Sequence, residues 1–374
     1  MSTPRQAPYV PTTWALGGRP KTGVDVPVTA VFLALFIIGA VVHMTIFQKN
    51  NRQGHKFIFS VLLFGFCMAR ITTTTLRIAS TCLPHNIRLA IAAQILVAAG
   101  ILLIFIINLI FTQRIIRSQH PQIGWHRALT AFFLALYVLI GINLAIIITV
   151  TVQSFYTLDR NIRRIDRDLQ LYVSTFFTLA SFLPLPLLLI SHLLPRRSPI
   201  DSFGHGTHGA KTLILLAGTL LACLGAAYRC GTAYLDPVPM SRPLPDYFHK
   251  ACFYVFNFGL EVLIVFLYAF TRIDRRFWIP NGAKGPGSYS STQVPATKRT
   301  VGQEKADSMY DGDGLRGEGD EVSRPAMPDV EQAKEKQMDL GRDSGVGSGR
   351  RTWEAEAEER ERETVRLPGV GQAK

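Results

Sequence analysis

The sequence predicts an all-α protein, a bundle of seven membrane-spanning helices followed by a disordered tail. Seven stretches are mostly apolar and reach about 20 residues or more, the length that crosses the hydrocarbon layer of a bilayer. Their connections are short and basic, since residues 1–271 hold 22 of the 40 Lys and Arg residues but 8 of the 27 Asp and Glu residues. From about residue 290 onward, Gly, Ser and charged residues dominate, and such a composition buries too little apolar surface to fold.

These patterns divide the chain into an extramembrane segment (1–25), a seven-helix domain (26–271), a juxtamembrane segment (272–289) and a tail (290–374). Pro184 and Pro186 predict a kink in the fifth span, because proline removes a helical hydrogen bond. Small residues at every fourth position of the sixth span (Gly218, Ala222, Ala226) predict close approach of another helix. The predicted spans are 26–47, 57–79, 87–111, 128–152, 169–194, 211–234 and 247–271.

The distribution of Lys and Arg predicts an N-terminus outside the cell or in the lumen of an organelle, and a cytosolic C-terminus. One connection does not fit, because LDRNIRRIDRD (158–168) places four arginines on the outer side. Apolar residues recur through this connection at helical spacing, from Phe155 to Tyr172. Two interpretations stay open: a fifth helix that begins outside the bilayer, or a helix that lies in the interface as a lid. The predicted location is the plasma membrane or an endomembrane.

Several function classes are excluded by the residues present. The glycines of GHGTHG (204–209) precede an apolar span without the strand, turn and helix of a nucleotide site. Predicted spans contain only His43, His192 and His249, each near one end, so a membrane metalloenzyme is not expected, and neither is a metal or cofactor. Basic residues confined to short loops indicate lipid headgroups rather than nucleic acid. The expected partners are therefore the bilayer, a small-molecule or lipid ligand, and a cytosolic partner of the tail.

Cysteines give one further candidate feature. Three of the five, Cys82, Cys230 and Cys252, fall near the predicted outer face, where two of them could form a disulfide. The alternative is that they are small buried apolar side chains.

Polar residues inside the spans form the candidate functional site. Arg70, Thr73, Thr74 and Arg77 lie on one face of the second span, and this face needs partners because an arginine at bilayer depth costs roughly 2.5–3.5 kcal/mol. The seventh span presents a polar face of its own, and the third span adds two amides. The predicted intramembrane polar network or ligand site comprises Arg70, Thr74, Arg77, Gln94, Asn108, Asn257 and Glu261.

Arg70 and Glu261 are the two residues of this set with the most specific predicted contact. Glu261 is predicted to be the only acid inside a span, at a depth within reach of the Arg70 side chain. Three arrangements stay open: the two side chains pair; Arg70 bonds backbone carbonyls while Glu261 stays protonated; or one of them is the counter-ion of a ligand.

Four motifs carry a resemblance to a known group: GGRPKTGVDVP, IFQKNNRQGHKFIFS, LLFGFCMARI and WIPNGAKGPGSY. The chain resembles, over roughly residues 14–290, filamentous-fungal seven-span membrane proteins classified only as a domain of unknown function. More distantly it is similar in architecture to fungal receptor-like and lipid-translocating exporter proteins. This resemblance implies seven helices and a fungal source, and it implies no activity or catalytic residue.

Three functions are compatible with this architecture. The first is a receptor-like sensor with an outward-facing site and a cytosolic tail, and the second is a transporter or lipid-translocating exporter. The third is a structural or accessory membrane protein. A polar pocket that is closed below would favour sensing, whereas a continuous polar route through the bundle would favour transport.

Overall fold

The computed structural model describes residues 7–54, 56–195, 198–280 and 282–290. Seven helices in this part are long and apolar enough to cross a membrane, as predicted, and no β-strand forms within it. The predicted tail lies outside the described residues from residue 291 onward. The helices are α1 (Thr22–Arg52), α2 (Ile58–Cys82), α3 (Ile87–Gln119), α4 (Arg127–Tyr156), α5 (Arg160–Leu193), α6 (His208–Tyr234) and α7 (Lys250–Phe270).

Three of these helices are interrupted. In α5 the regular helix ends at Phe182 and resumes at Pro184, which confirms the predicted kink. In α3 the interruption falls at Gly100 and Ile101, between the segments Ile87–Ala99 and Leu102–Gln119. In α7 the turn Val255–Gly259 is a π-helix, a geometry often found at functional sites. The last two interruptions were not predicted from the sequence.

The arginine-rich connection before the fifth span is the beginning of α5. The helix is continuous over Arg160–Phe182. The Asp159 side chain caps it by accepting hydrogen bonds from the backbone N–H groups of Asn161 (2.7 Å) and Ile162 (3.3 Å). The alternative of a separate interfacial lid helix is therefore wrong.

The small-residue face of α6 packs against α7 as predicted. A side chain on Gly218 would overlap the Tyr268 hydroxyl, and one on Gly225 would lie 3.0 Å from the carbonyl oxygen of Phe256. Ala222 is fully buried between them. Absence of side chains here lets the backbones of α6 and α7 approach closely.

Short connections place the helix ends on two faces of the bundle. The N-terminal face carries the start of α1 and is covered by residues 7–20. Backbone N–H groups of this segment donate to Phe155, Val238 and Phe248 carbonyls at 2.8, 2.9 and 3.1 Å. The opposite, C-terminal face is covered by residues 273–280 and 282–290, where the backbone N–H of His205 donates to the carbonyl of Arg275 at 2.9 Å.

Candidate functional site

Arg70 and Glu261 meet in the interior of the bundle. Both side chains are fully buried, and Arg70 Nη2 lies 2.5 Å from Glu261 Oε1. Arg70 Nη1 also donates to the carbonyls of Leu96 (2.9 Å) and Val97 (3.2 Å), just before the interruption of α3. Arg70 therefore pairs with Glu261, the first of the arrangements left open by the sequence, and it bonds backbone carbonyls as well.

The surroundings of Arg70 are shaped to hold a guanidinium. A Cβ atom on Gly100 would lie 2.5 Å from Arg70 Cζ, so glycine at the interruption provides the space. The rings of Phe66 and Phe258 lie 5.5 and 5.8 Å from Arg70 Cζ. These cation–π contacts stabilise a desolvated cation, and contacts from α2, α3 and α7 offset the cost of placing Arg70 at bilayer depth.

A second arginine, Arg229 of α6, joins the same cluster. Its Nε donates to Asn257 Oδ1 at 2.7 Å, its Nη1 to the Val97 carbonyl at 3.2 Å, and its Nη2 lies 3.5 Å from Glu261 Oε1. Arg229 is absent from the network predicted from the sequence. A simple count of charges inside the predicted sixth span would have found it.

Asn257 connects Arg229 to the π-helical turn of α7. Its Nδ2 donates to the Phe253 carbonyl at 2.8 Å while its oxygen accepts from Arg229. The amide nitrogen therefore stabilises the irregular turn, and the amide oxygen orients the guanidinium of Arg229.

A further charged cluster lies between Arg70 and the N-terminal face. Asp25 of α1, which is 1 % exposed, accepts from Lys250 and from the Tyr254 hydroxyl (2.8 Å). Arg77 Nη2 lies 3.7 Å from the same carboxylate. Asp25, which the prediction assigns to the segment before the first span, lies in the first turn of α1, which begins at Thr22. Lys250, at the start of α7, compensates the charge of Asp25 and so permits its burial.

These two clusters form one polar column. Arg77 follows Arg70 by seven residues on α2, a rise of about 10 Å. The column holds two acids, Asp25 and Glu261, and four cations, Arg70, Arg77, Arg229 and Lys250. Within the described residues, Arg70 Nε and Glu261 Oε2 are buried without a hydrogen-bond partner. The column therefore has an excess of positive charge and unused hydrogen-bonding capacity.

Three residues of the predicted network lie outside the column. The Thr74 hydroxyl donates within its own helix, to the carbonyls of Arg70 (2.8 Å) and Ile71 (3.0 Å). Asn108 accepts from the Tyr268 hydroxyl nearer the C-terminal face, and Gln94 is exposed. A shared helical face was therefore too weak a criterion for membership of the polar network. A hydroxyl can bond the backbone of its own helix instead, and a small error in the assumed helix rotation places an amide at the surface.

The candidate disulfide does not form. All five cysteines are free thiols, including Cys82, which is exposed at the end of α2. Cys230 packs against the Thr175 hydroxyl on α5, at 3.9 Å. Lying near one face of the bundle was not enough to pair them, because a disulfide also needs closely opposed Cβ atoms.

An apolar layer closes the bundle below the column, toward the C-terminal face. Leu63, Cys67, Ile104, Ile264 and Val265 are each 0–1 % exposed. Below them, the ring of Phe111 stacks on Phe277 at 4.3 Å and packs against Phe59 at 5.0 Å. The column is therefore confined to the half of the bundle next to the N-terminal face.

Comparisons with known proteins agree with a family that has no assigned activity. Residues 200–278, which contain α6, α7 and Asn257, Arg229 and Glu261, match the family model described as a protein of unknown function (DUF3112). No curated protein and no solved structure matches the chain.

Proposed function

We propose that this multi-pass membrane protein is a receptor-like sensor whose ligand acts on the polar column from the N-terminal face. The observation that carries the proposal is that the polar column ends at Glu261, above the apolar layer. Basic residues flank the other face, so the N-terminal face is the outer or lumenal one in this proposal. A ligand that binds at the N-terminal face would be sensed without passing through the bundle.

Helix α7 is the element suited to carry the signal. It holds Asn257 and Glu261 in the column and leads directly into the turn Ile273–Arg276 on the C-terminal face. Asp274 of this turn accepts from Asn50 at the end of α1 (2.8 Å) and from Arg272 (2.9 Å). A shift of α7 that alters the Glu261 contacts would change this junction, next to the segment that leads to the tail and its expected cytosolic partner.

Transport, including lipid translocation, is the second candidate, and one observation favours it. The helices α3 and α7 are both interrupted beside the column, at Gly100–Ile101 and Val255–Gly259. Many transporters place their binding sites at such interruptions near the middle of the membrane. In that case the apolar layer would open during the cycle, which a sensor does not require.

Cysteine accessibility separates the two functions. Cys67 lies in the apolar layer and serves as a native probe, while a Thr29→Cys variant places a thiol in the column beside Tyr254. Each probe is kept alone, with the other cysteines replaced by serine. A membrane-impermeant thiol reagent is applied to intact and to permeabilised cells, with and without extracts that contain candidate ligands.

A sensor predicts that Thr29→Cys reacts in intact cells and that Cys67 reacts under neither condition. Reaction of Cys67 after permeabilisation would favour transport. Reaction of Thr29→Cys only after permeabilisation would overturn the orientation. An unreactive Thr29→Cys in a folded protein would contradict an accessible column and favour the structural or accessory role.

A further inference from the structure

A separate cluster of cations and aromatic side chains lies at the C-terminal face, away from the polar column. It is built by the end of α3, the connection to α4, α4 itself and the juxtamembrane segment. Arg117 Cζ lies 4.3 Å from the Trp125 ring, and the Trp125 and Tyr289 rings are 5.7 Å apart. Tyr137 and Tyr289 both lie within electrostatic range of Arg114 and Arg117. We call these five residues the arginine–aromatic cluster.

The cluster contains buried donors that lack acceptors. Among the described residues, the Tyr137 hydroxyl and the Trp125 indole nitrogen are buried without a hydrogen bond, and the hydrogen of the Tyr289 hydroxyl has no acceptor. The guanidiniums of the cluster and the Trp125 indole cannot accept these hydrogens, because both groups only donate hydrogen bonds. Even where a tyrosine oxygen accepts from an arginine, its own hydrogen still needs an acceptor. Buried polar groups of this kind call for a missing partner.

The protein's own acceptors near the cluster make contacts with other groups. Asp201 acts electrostatically on Tyr289, but its carboxylate accepts the backbone N–H groups of Tyr289 (3.3 Å) and Ser290 (2.9 Å). Arg117 donates to the Gly124 carbonyl (3.2 Å) and the Thr130 hydroxyl (3.3 Å), and Arg114 donates to the Phe277 carbonyl. These contacts fix both guanidiniums in place and provide no acceptor for the three unsatisfied hydrogens.

The position of the cluster suggests where its partner comes from. Arg114, Arg117, Trp125 and Tyr137 are half-buried, so the cluster lies at the edge of the bundle rather than in its interior. Arg117 lies in the last turn of α3 and Trp125 lies two residues before α4, so both are at the end of a span, the level of the lipid headgroups, whereas Tyr137 lies ten residues inside α4. Basic pockets between helices at this level recognise anionic headgroups.

We infer that the arginine–aromatic cluster binds a phosphate oxyanion, supplied by the headgroup of an anionic phospholipid. Phosphate oxygens only accept hydrogen bonds, so they match a set of groups that only lack acceptors. The negative charge of the phosphate is complementary to the positive charge of the two guanidiniums. This site is independent of the polar column and of the sensor proposal.

The test uses tyrosine-to-phenylalanine variants, which remove only the unsatisfied hydroxyls. Full-length protein, Tyr137→Phe and Tyr289→Phe are placed in nanodiscs of phosphatidylcholine alone or with added phosphatidic acid, and thermal unfolding is recorded. Tyr156→Phe is the matched control, because Tyr156 is 47 % exposed at the opposite face of the bundle. A further arm adds inorganic phosphate to protein in detergent, to distinguish a lipid headgroup from free phosphate.

In phosphatidylcholine, both variants should be as stable as the native protein or more stable, since an unpaired buried hydroxyl is removed. Phosphatidic acid should raise the unfolding temperature of the native protein and of Tyr156→Phe. Each cluster variant should require about tenfold more of this lipid for the same rise, the loss of roughly one hydrogen bond. Stabilisation by inorganic phosphate alone would retain the oxyanion site but identify a soluble ligand.

Two results would overturn the inference. The first is equal stabilisation of all four proteins by phosphatidic acid, with no effect of inorganic phosphate on any of them. The second is a loss of stability of both cluster variants in phosphatidylcholine, because it would mean that the hydroxyls already have partners within the protein.

Discussion

The two halves of the bundle bury their charges differently. In the half next to the N-terminal face, the charges of the polar column lie within the helices, and two acids face four cations. At the C-terminal face, Asp274 is also 3 % exposed, but it lies beyond the end of α7 and is matched locally by Arg272 and Asn50. The column thus has uncompensated charge at membrane depth, whereas the charge of Asp274 is balanced by its neighbours beyond the end of α7.

This difference separates a candidate site from a structural link. An ion pair inside the bilayer carries a large desolvation cost, and its attraction repays that cost only when the geometry is good. Intramembrane charges that are retained in spite of this cost are by default functional candidates. The Asn50–Asp274 contact ties the end of α1 to the segment after α7 and needs no ligand to be satisfied.

The largest expected effect is in the column. Glu261→Gln should lower stability by roughly 3–5 kcal/mol, because it leaves Arg70 and Arg229 buried without an acid. Arg70→Gln should cost less, since Arg229 Nη2 remains 3.5 Å from Glu261 and can take over part of the pairing. Thermal unfolding in nanodiscs measures both losses.

The double variant tests whether the two residues interact energetically. Glu261→Gln with Arg70→Gln should lose less than the sum of the single losses, because additivity fails for residues in contact. Losses that simply add would mean that the pair contributes little and that the carbonyls of Leu96 and Val97 hold Arg70.

A medium effect is expected in the closed half, where packing replaces charge. Gly218→Ala should destabilise the protein by roughly 1–3 kcal/mol, because the added methyl group overlaps the Tyr268 hydroxyl. Gly231→Ala in the same helix is the matched control, since its Cβ would have no neighbour within 4 Å. That control should be neutral or stabilising by up to about 1 kcal/mol. Equal effects at both positions would contradict close packing of α6 on α7.

The smallest effect concerns pH and the C-terminal face. Burial alone would raise the pKa of Asp274, but hydrogen bonds from Arg272 and Asn50 outweigh it and lower the pKa below its usual range. The stabilisation is therefore present above the unfolded pKa of about 3.9 and is lost as the pH falls through the lower folded pKa.

Asp274→Asn should accordingly cost about 1 kcal/mol at neutral pH, the magnitude of a partly exposed ion pair. The difference in unfolding temperature between this variant and the native protein should shrink as the pH falls below about 4. A difference that stays constant down to pH 2 would show that the carboxylate charge does not contribute.

The seven spans could be predicted from the sequence because each depends on local composition. A helix crosses the bilayer when about 20 successive residues are apolar, and no distant contact is needed to recognise it. The kink before Pro184 and the small-residue face around Gly218 are local in the same sense, and the structure confirms both. A single charge within an apolar stretch is also readable, although Arg229 was overlooked and Asp25 was placed outside the first span.

Which polar residues meet was decided only by the tertiary structure. Arg70 and Glu261 are 191 residues apart, and their contact depends on how four helices rotate and on the interruption of α3 at Gly100. The same rotation exposes Gln94 and directs Asn108 to Tyr268, although both residues were predicted from the sequence to belong to the polar network. Hydropathy determines whether a helix lies in the membrane. The rotation of the helix about its axis is determined by the packing of specific side chains, and these contacts involve residues from the whole bundle.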